Sequence, residues 1–374
     1  MNEKRTIRVI VADDSPVARD LLTEVLNSDS RLEVVGIAKD GEQAVDLVRR
    51  LKPDIITMDV QMPRMDGFEA TKEIMIVEPT PIVIVSGNIG SPDVEKSMNA
   101  IRAGALTAIG KPPSPQSPEF EQAAGQLIDT VVSMASVKVI RHRRTRRQVD
   151  ESKDSAAVRA IDTPLPAVVA IATSTGGPEA LDKLLSELPV DFPLPILVVQ
   201  HITTGFTHGF VSWLDQCVPL KVKEAVDGER VEPSVVYIAP EHGHLGFSAS
   251  KRVQILDQPP VDGFRPSGTI LFESAARVFG DATVAVVLTG MGSDGLNGLR
   301  SVRQVGGYVI AQDEQSSVLY GMPRVAAEAG LANIVLPLDT IAYYLVQLAR
   351  RISNWTGGGR SGGKGKGDET DSAG

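Results

Sequence analysis

The chain has 374 residues, 42% hydrophobic and 23% charged, with 38 basic against 47 acidic side chains for a net charge of −9. That length predicts two or three domains with apolar cores and excludes disorder throughout. No apolar run approaches the roughly 18 residues of a membrane span, MNEKRTIRVIVADD holds no apolar stretch of a secretory signal, and the lone Cys217 leaves no disulfide framework or cysteine zinc site.

A cytoplasmic location without membrane insertion is therefore expected. The acidic balance and an aromatic content of only 4% speak against a nucleic-acid partner. In chain order, RVIVADD (Arg8–Asp14) predicts a strand, and Ser15-Pro16 opens a helix with Val17, Leu21, Leu22 and Val25 on one face. Strands follow at Glu33–Ala38, Asp54–Asp59, Pro81–Gly87 and Ala105–Lys111. They alternate with helices at Gly41–Lys52, Phe68–Ile76, Asp93–Ala103 and about Glu119–Val137. Five apolar strands alternating with amphipathic helices imply a parallel sheet covered on both faces.

Lys138–Thr163 changes character: the basic run Arg141–Arg147 is followed by polar residues of mixed charge, which reads as a solvated linker. The alternation resumes at Ala167–Ser174 (strand) and Pro178–Leu188 (helix), with further strands at Pro195–His201, Val235–Pro240, Ala282–Gly290 and Gly307–Gln312. A second doubly wound α/β unit with a mostly parallel sheet is expected. The tail from Gly357 is Gly-rich and has no means of forming a core. The chain thus divides into 1–127, a linker 128–163, a second domain 164–352 and a disordered tail 353–374.

In a parallel sheet, ligands gather at the carboxyl ends of the strands. Asp13 and Asp14 stand at the end of the first strand, Asp59 at the third, Ser86 at the fourth and Lys111 at the fifth. Three carboxylates brought together need a cation, and oxygen donors suit Mg²⁺. A lysine and a hydroxyl beside them can take phosphate oxygens, which is the chemistry of phosphoryl transfer to a carboxylate. Taken singly, each has a plainer reading as a helix cap or a turn. VADDSPVAR, MDVQMPRMDG, VSG and GKP, in this order, resemble the receiver domain of bacterial two-component response regulators over about Arg8–Leu127. The resemblance implies a five-stranded parallel flavodoxin-like fold and Asp59 as the phosphoacceptor. It also implies Asp13, Asp14 and Asp59 as Mg²⁺ ligands, Ser86 and Lys111 as phosphoryl contacts, and a histidine kinase as phosphodonor. The position three before the lysine, usually aromatic in that family, is Ala108 here.

In the second half, Ser174 ends a predicted strand in ATSTGGPEAL, just before a helix. A hydroxyl there lies beside free N–H groups at a helix N-terminus, a suitable place for a nucleophile with an oxyanion hole. A phosphate-binding turn or a plain N-cap explains S-T-G-G equally well, and Ala172 breaks the G-x-S-x-G pattern. Of the five histidines, His201 ends the next apolar strand, so it can meet Ser174 as a base. Asp294 in LTGMGSDG supplies an orienting acid. A structural histidine and a turn aspartate are the alternatives. His242 and His244 in EHGH lack a third metal ligand with clear spacing.

ATSTGGPEAL, VVQHI, YIAPEHGHL, RPSGTILFESAA, LTGMGSDGLNGL and IAQDEQSSVLYGMP are similar to the catalytic domain of the chemotaxis protein-glutamate methylesterases, over about Ala167–Leu348. The resemblance implies that Ser174 attacks the γ-methyl ester of a receptor glutamate, with His201 as base and Asp294 as its orienter. The Met291 N–H and a group near Thr175 would hold the oxyanion. It further implies glutamine deamidation, methylated chemoreceptors as partners, no cofactor for the ester step, and a receiver that covers the esterase cleft until phosphorylated. A monomer is expected. A response regulator whose second domain acts by binding alone is the competing reading. A DNA-binding regulator fits the basic run but finds no helix-turn-helix.

Overall fold

The computed structural model describes residues 5–87, 91–137, 139 and 164–352. The basic run at 141–147, the rest of the linker beyond residue 139 and the tail 353–374 lie outside the described residues.

The first half alternates β1 (Ile7–Ala12), α1 (Pro16–Asn27), β2 (Leu32–Ala38), α2 (Gly41–Leu51), β3 (Ile55–Met58), α3 (Gly67–Val77), β4 (Ile82–Ser86), α4 (Ser91–Arg102), β5 (Thr107–Gly110) and α5 (Phe120–Ala135). The strands form one parallel sheet in the order β2-β1-β3-β4-β5. β3 and β4 are buried along their whole length, as strands covered by helices on both faces must be. Ser15 caps α1, accepting from the Ala18 N–H. Val17 does not join the buried face expected of it: it is 78% exposed. Leu22, Val25 and Leu26 form the buried stripe instead, because Val17 lies in the first turn, ahead of the i, i+3, i+4 contact with the sheet.

The second half contains β6 (Val168–Thr173), α6 (Gly177–Ser186), β7 (Ile196–Gln200), α7 (Thr207–Cys217), β8 (Lys221–Glu224), β9 (Val235–Ile238), β10 (His244–Phe247), β11 (Val253–Leu256), α8 (Gly268–Phe279), β12 (Thr283–Val287), α9 (Leu296–Gln304), β13 (Tyr308–Gln312), α10 (Met322–Glu328), β14 (Ile334–Leu336) and α11 (Leu338–Ala349). Seven strands form one sheet, order β14-β13-β12-β6-β7-β9-β8, with every pairing parallel. The sequence reading lacked the charged edge strand β8, the three-residue edge β14 and the small antiparallel hairpin β10–β11. Chain order reverses at β6, which pairs with β12 on one side and β7 on the other. The carboxyl end of such a central strand opens a crevice between diverging connections.

The two halves pack against each other through α4, where Val94, Met98 and Ile101 share one buried apolar cluster with Phe210 and Leu214 of α7. Arg102 adds an ion pair to Asp182 on α6 at 3.4 Å. No helix among the described residues is long and apolar enough to cross a membrane.

Candidate active site

At the rim of the first sheet, Asp13 and Asp14 follow β1 and Asp59 follows β3, with carboxylate oxygens within 4.8 Å of one another. Lys111 reaches in from the end of β5, its Nζ 2.6 Å from Asp13 Oδ2 and 2.9 Å from Asp59 Oδ2. Ser86 is buried at the end of β4, and its carbonyl accepts from the Lys111 N–H at 2.9 Å. All five expected residues thus stand at one edge. Burial pushes the Asp59 carboxyl above its ordinary range; Lys111 opposes this and the neighbouring Asp13 adds to it. Asp59 Oδ1 also accepts from the Val60 N–H. Three hard oxygen donors at the end of a sheet fit a Mg²⁺ ion that keeps open positions for phosphate oxygens.

At the rim of the second sheet, Thr173 at the end of β6 pairs in register with Gln200 at the end of β7. Ser174 and His201 are the next residues on these neighbouring strands, which at the usual spacing lie about 5 Å apart. The Ser174 N–H donates to Thr289 O and the His201 N–H to Thr173 O, so both backbones are fixed. Gly176 opens α6 in the left-handed region, φ 77°, where a Cβ would stand 2.6 Å from Val318. The Thr175 and Met291 backbone N–H groups have no acceptor among the described residues.

Nε2 of His201 lies 2.8 Å from Asp294 Oδ2. Asp294 is buried in the loop after β12 and sits at the N-terminus of α8. There it also accepts from Ser267 Oγ at 2.6 Å and the Gly268 N–H at 2.6 Å. Burial alone would raise its pKa, but the His201 contact, Ser267 and Gly268 together bring it down to about 2. An ionised carboxylate only accepts, so His201 carries its proton on Nε2 and leaves Nδ1 as the basic nitrogen. That Nδ1 is buried and has no hydrogen-bond partner among the described residues. Phe264 stacks flat on the imidazole, ring centroids 4.1 Å apart.

Ser174, Thr175, His201 and Phe264 line a cavity of about 480 Å³ between the two halves. Its other wall comes from β5 and α5, including Ala108, Gln122, Gln126 and Thr130. Farther along α5, Ser133 Oγ lies 3.6 Å from Met291 Sδ. The missing aromatic at position 108 therefore falls in the wall of this cavity.

Sequence reasoning missed three supporting groups. Gln200 is almost fully buried, and its Nε2 donates to both the Ser174 carbonyl, 2.9 Å, and the His201 carbonyl, 2.7 Å. Ser267 caps α8 and holds Asp294, and Phe264 fixes the plane of His201. The adjacency of Gln200 to His201 in VVQH was the available signal. His244, which has no metal partner at a clear spacing in the sequence, is fully buried with both ring nitrogens engaged, by Pro259 O and the Ser267 N–H.

A family profile described as CheB methylesterase matches residues 169–345, and one described as response regulator receiver domain matches residues 9–118. The chain is 49% identical over 344 residues to a protein-glutamate methylesterase/protein-glutamine glutaminase of Myxococcus xanthus, covering 92% of this chain and 97% of the relative. A protein of the same name from Anaeromyxobacter dehalogenans is 47% identical, with 92% of this chain and 100% of the relative covered. Among solved structures, the Thermotoga maritima CheB methylesterase catalytic domain aligns at 42% identity and a TM-score of 0.48, covering 49% of this chain and 98% of that one.

Proposed function

Since the chain belongs to the CheB methylesterase family and carries a receiver domain ahead of the esterase, we propose that it hydrolyses glutamate γ-methyl esters on chemoreceptors and deamidates their glutamines, under control of phosphorylation at Asp59. Receiver 1–127, linker 128–163, esterase 164–352 and tail 353–374 are the working divisions. The enzyme acts in the cytoplasm as a monomer and receives its phosphoryl group from a histidine kinase.

One observation carries the catalytic reading. Asp294 holds the Nε2 edge of His201, the opposite nitrogen is buried without a hydrogen-bond partner among the described residues, and His201 lines the same cavity as Ser174. Nδ1 takes the Ser174 proton as Oγ attacks the ester carbonyl. The charge on the tetrahedral oxygen falls to the unpaired N–H groups of Thr175 and Met291. His201 returns the proton to the departing methoxide, methanol leaves, and a water activated by the same Nδ1 releases glutamate. Asp294 stays ionised throughout and stabilises the imidazolium. In the receiver, Asp13, Asp14 and Asp59 would hold Mg²⁺, which neutralises phosphoryl oxygens when bound. Ser86 and Lys111 contact the transferred group at Asp59.

The α5 wall over the cleft supports control by cover: phosphorylation favours a form in which α5 has moved away. The test is methanol release from methylated receptor membranes. Ser174→Ala should abolish release, Asp59→Asn should remove stimulation by a phosphodonor, and the fragment 164–352 should exceed the unphosphorylated full chain. Full release by Ser174→Ala would overturn the catalytic reading, and an unchanged rate in the fragment would overturn control by cover.

A further inference from the structure

Two of the side chains that the receiver half presents to the catalytic cavity, both glutamines, are of the kind the relatives' name says they act on. Gln122 and Gln126 are exposed on the receiver's own surface and stand one helical turn apart on α5. Both line the cavity that contains Ser174, Thr175 and His201. Thr130 continues the same stripe in the cavity wall, and Ser133 beyond it touches Met291, the expected oxyanion residue. The opposite face of α5 is fixed independently, since Ala124, Leu127, Val131 and Met134 are buried in the core of the first half. Val318 and Leu319 of the second half pack on that same core, and the Leu319 carbonyl accepts from the Gly290 N–H in the turn that carries Met291. The glutamine stripe is therefore held over the cavity by contacts on both sides.

We propose that the esterase half deamidates Gln122 and Gln126 in cis, so that α5 is an internal substrate as well as a cover. This rests on the hydrolase reading above. The chemistry uses nothing beyond the site and water. Ser174 Oγ bonds to the side-chain Cδ and its proton passes to His201 Nδ1. The Cδ–N bond then breaks, and the amide nitrogen leaves as ammonia with that proton. Water adds to the acyl-enzyme, restoring Ser174 and leaving glutamate on α5. The cis reaction needs the closed arrangement, whereas hydrolysis of receptor esters needs the open one. Phosphorylation therefore drives the two in opposite directions, a relation that simple occlusion does not contain.

The experiment follows purified full-length protein over time by peptide mass spectrometry, reading amide-to-carboxylate conversion at Gln122 and Gln126. Gln116, exposed and outside the cavity lining, serves as the internal reference. The expected result is conversion at one or both positions with a rate independent of protein concentration. It should be absent in Ser174→Ala and slowed by a phosphodonor that speeds methanol release from receptor membranes in the same preparation. Equal conversion in Ser174→Ala, or intact glutamines in a preparation that releases methanol, overturns the proposal and leaves the esterase reading standing. A preparation with neither activity overturns both.

Discussion

Phe264 lies face to face on His201, with centroids 4.1 Å apart and ring planes 9° from parallel. The stack covers one face of the imidazole and fixes its ring plane. It becomes a cation–π contact when the imidazole is charged. Such pairs are worth about 0.5–1.5 kcal/mol, so Phe264→Ala should lower kcat by roughly 2- to 10-fold. Phe264→Tyr should retain most of the rate, and steady-state kinetics on receptor membranes measures both.

Gln200 joins the backbones of Ser174 and His201 by one amide. Ser174 O has a second donor in the Gly177 N–H, but no other donor to His201 O is seen among the described residues. Gln200→Leu leaves that carbonyl unpaired, at a stability cost of about 1–3 kcal/mol. It also frees the spacing between Ser174 and His201. The expected outcome is a fall in kcat with KM little changed, and a lower rate constant for labelling of Ser174 by a phosphonate in protein that is still folded.

Asp294 gives a pH-dependent prediction. Its folded pKa of about 2 lies below the ordinary 3.8, so its contribution to stability is complete above that ordinary value and is lost as pH falls toward 2. The depression corresponds to about 2 kcal/mol. Denaturant unfolding followed through the buried Trp213 should show the stability gap between wild type and Asp294→Asn narrowing by about that amount from pH 5 to pH 2. Activity of Asp294→Asn should fall by roughly two to four orders of magnitude at neutral pH, because the neutral amide cannot hold the tautomer or stabilise the imidazolium.

Gly209 on α7 meets the receiver so closely that a Cβ there would lie 2.5 Å from Val94 on α4. Gly209→Ala improves the helix by about 1 kcal/mol within the esterase fragment. In the full chain it forces the interface apart at a cost of about 1–3 kcal/mol. Unphosphorylated full-length Gly209→Ala should therefore hydrolyse receptor esters several-fold faster than wild type. The same change in the fragment 164–352 should leave the rate unaltered.

The sequence made visible what repeats a simple rule. Apolar runs marked the buried strands, and acids or hydroxyls at their ends marked both rims. Ser174 and His201 could be paired because consecutive parallel strands are usually neighbours, as β6 and β7 are. Edges were harder. KVKE in β8 alternates charged and apolar residues like a solvated segment, and β14 has only three residues. Supporting contacts were not legible, because the partners of Gln200, Ser267 and Phe264 depend on where loops converge. Nor did spacing alone place Val17, whose exposure follows from where α1 first meets the sheet.

A chimaera in which this esterase is joined to a foreign receiver would inherit a mismatch even if the acidic pocket were intact. α5 turns Leu127 and Val131 inward and Gln126 and Thr130 toward the cavity, so the regulator's inner wall and the catalyst's outer wall are one helix. Residues that keep the first half folded and residues that fit the second alternate along it. Modular exchange between such proteins therefore has to move this helix together with the surface it faces.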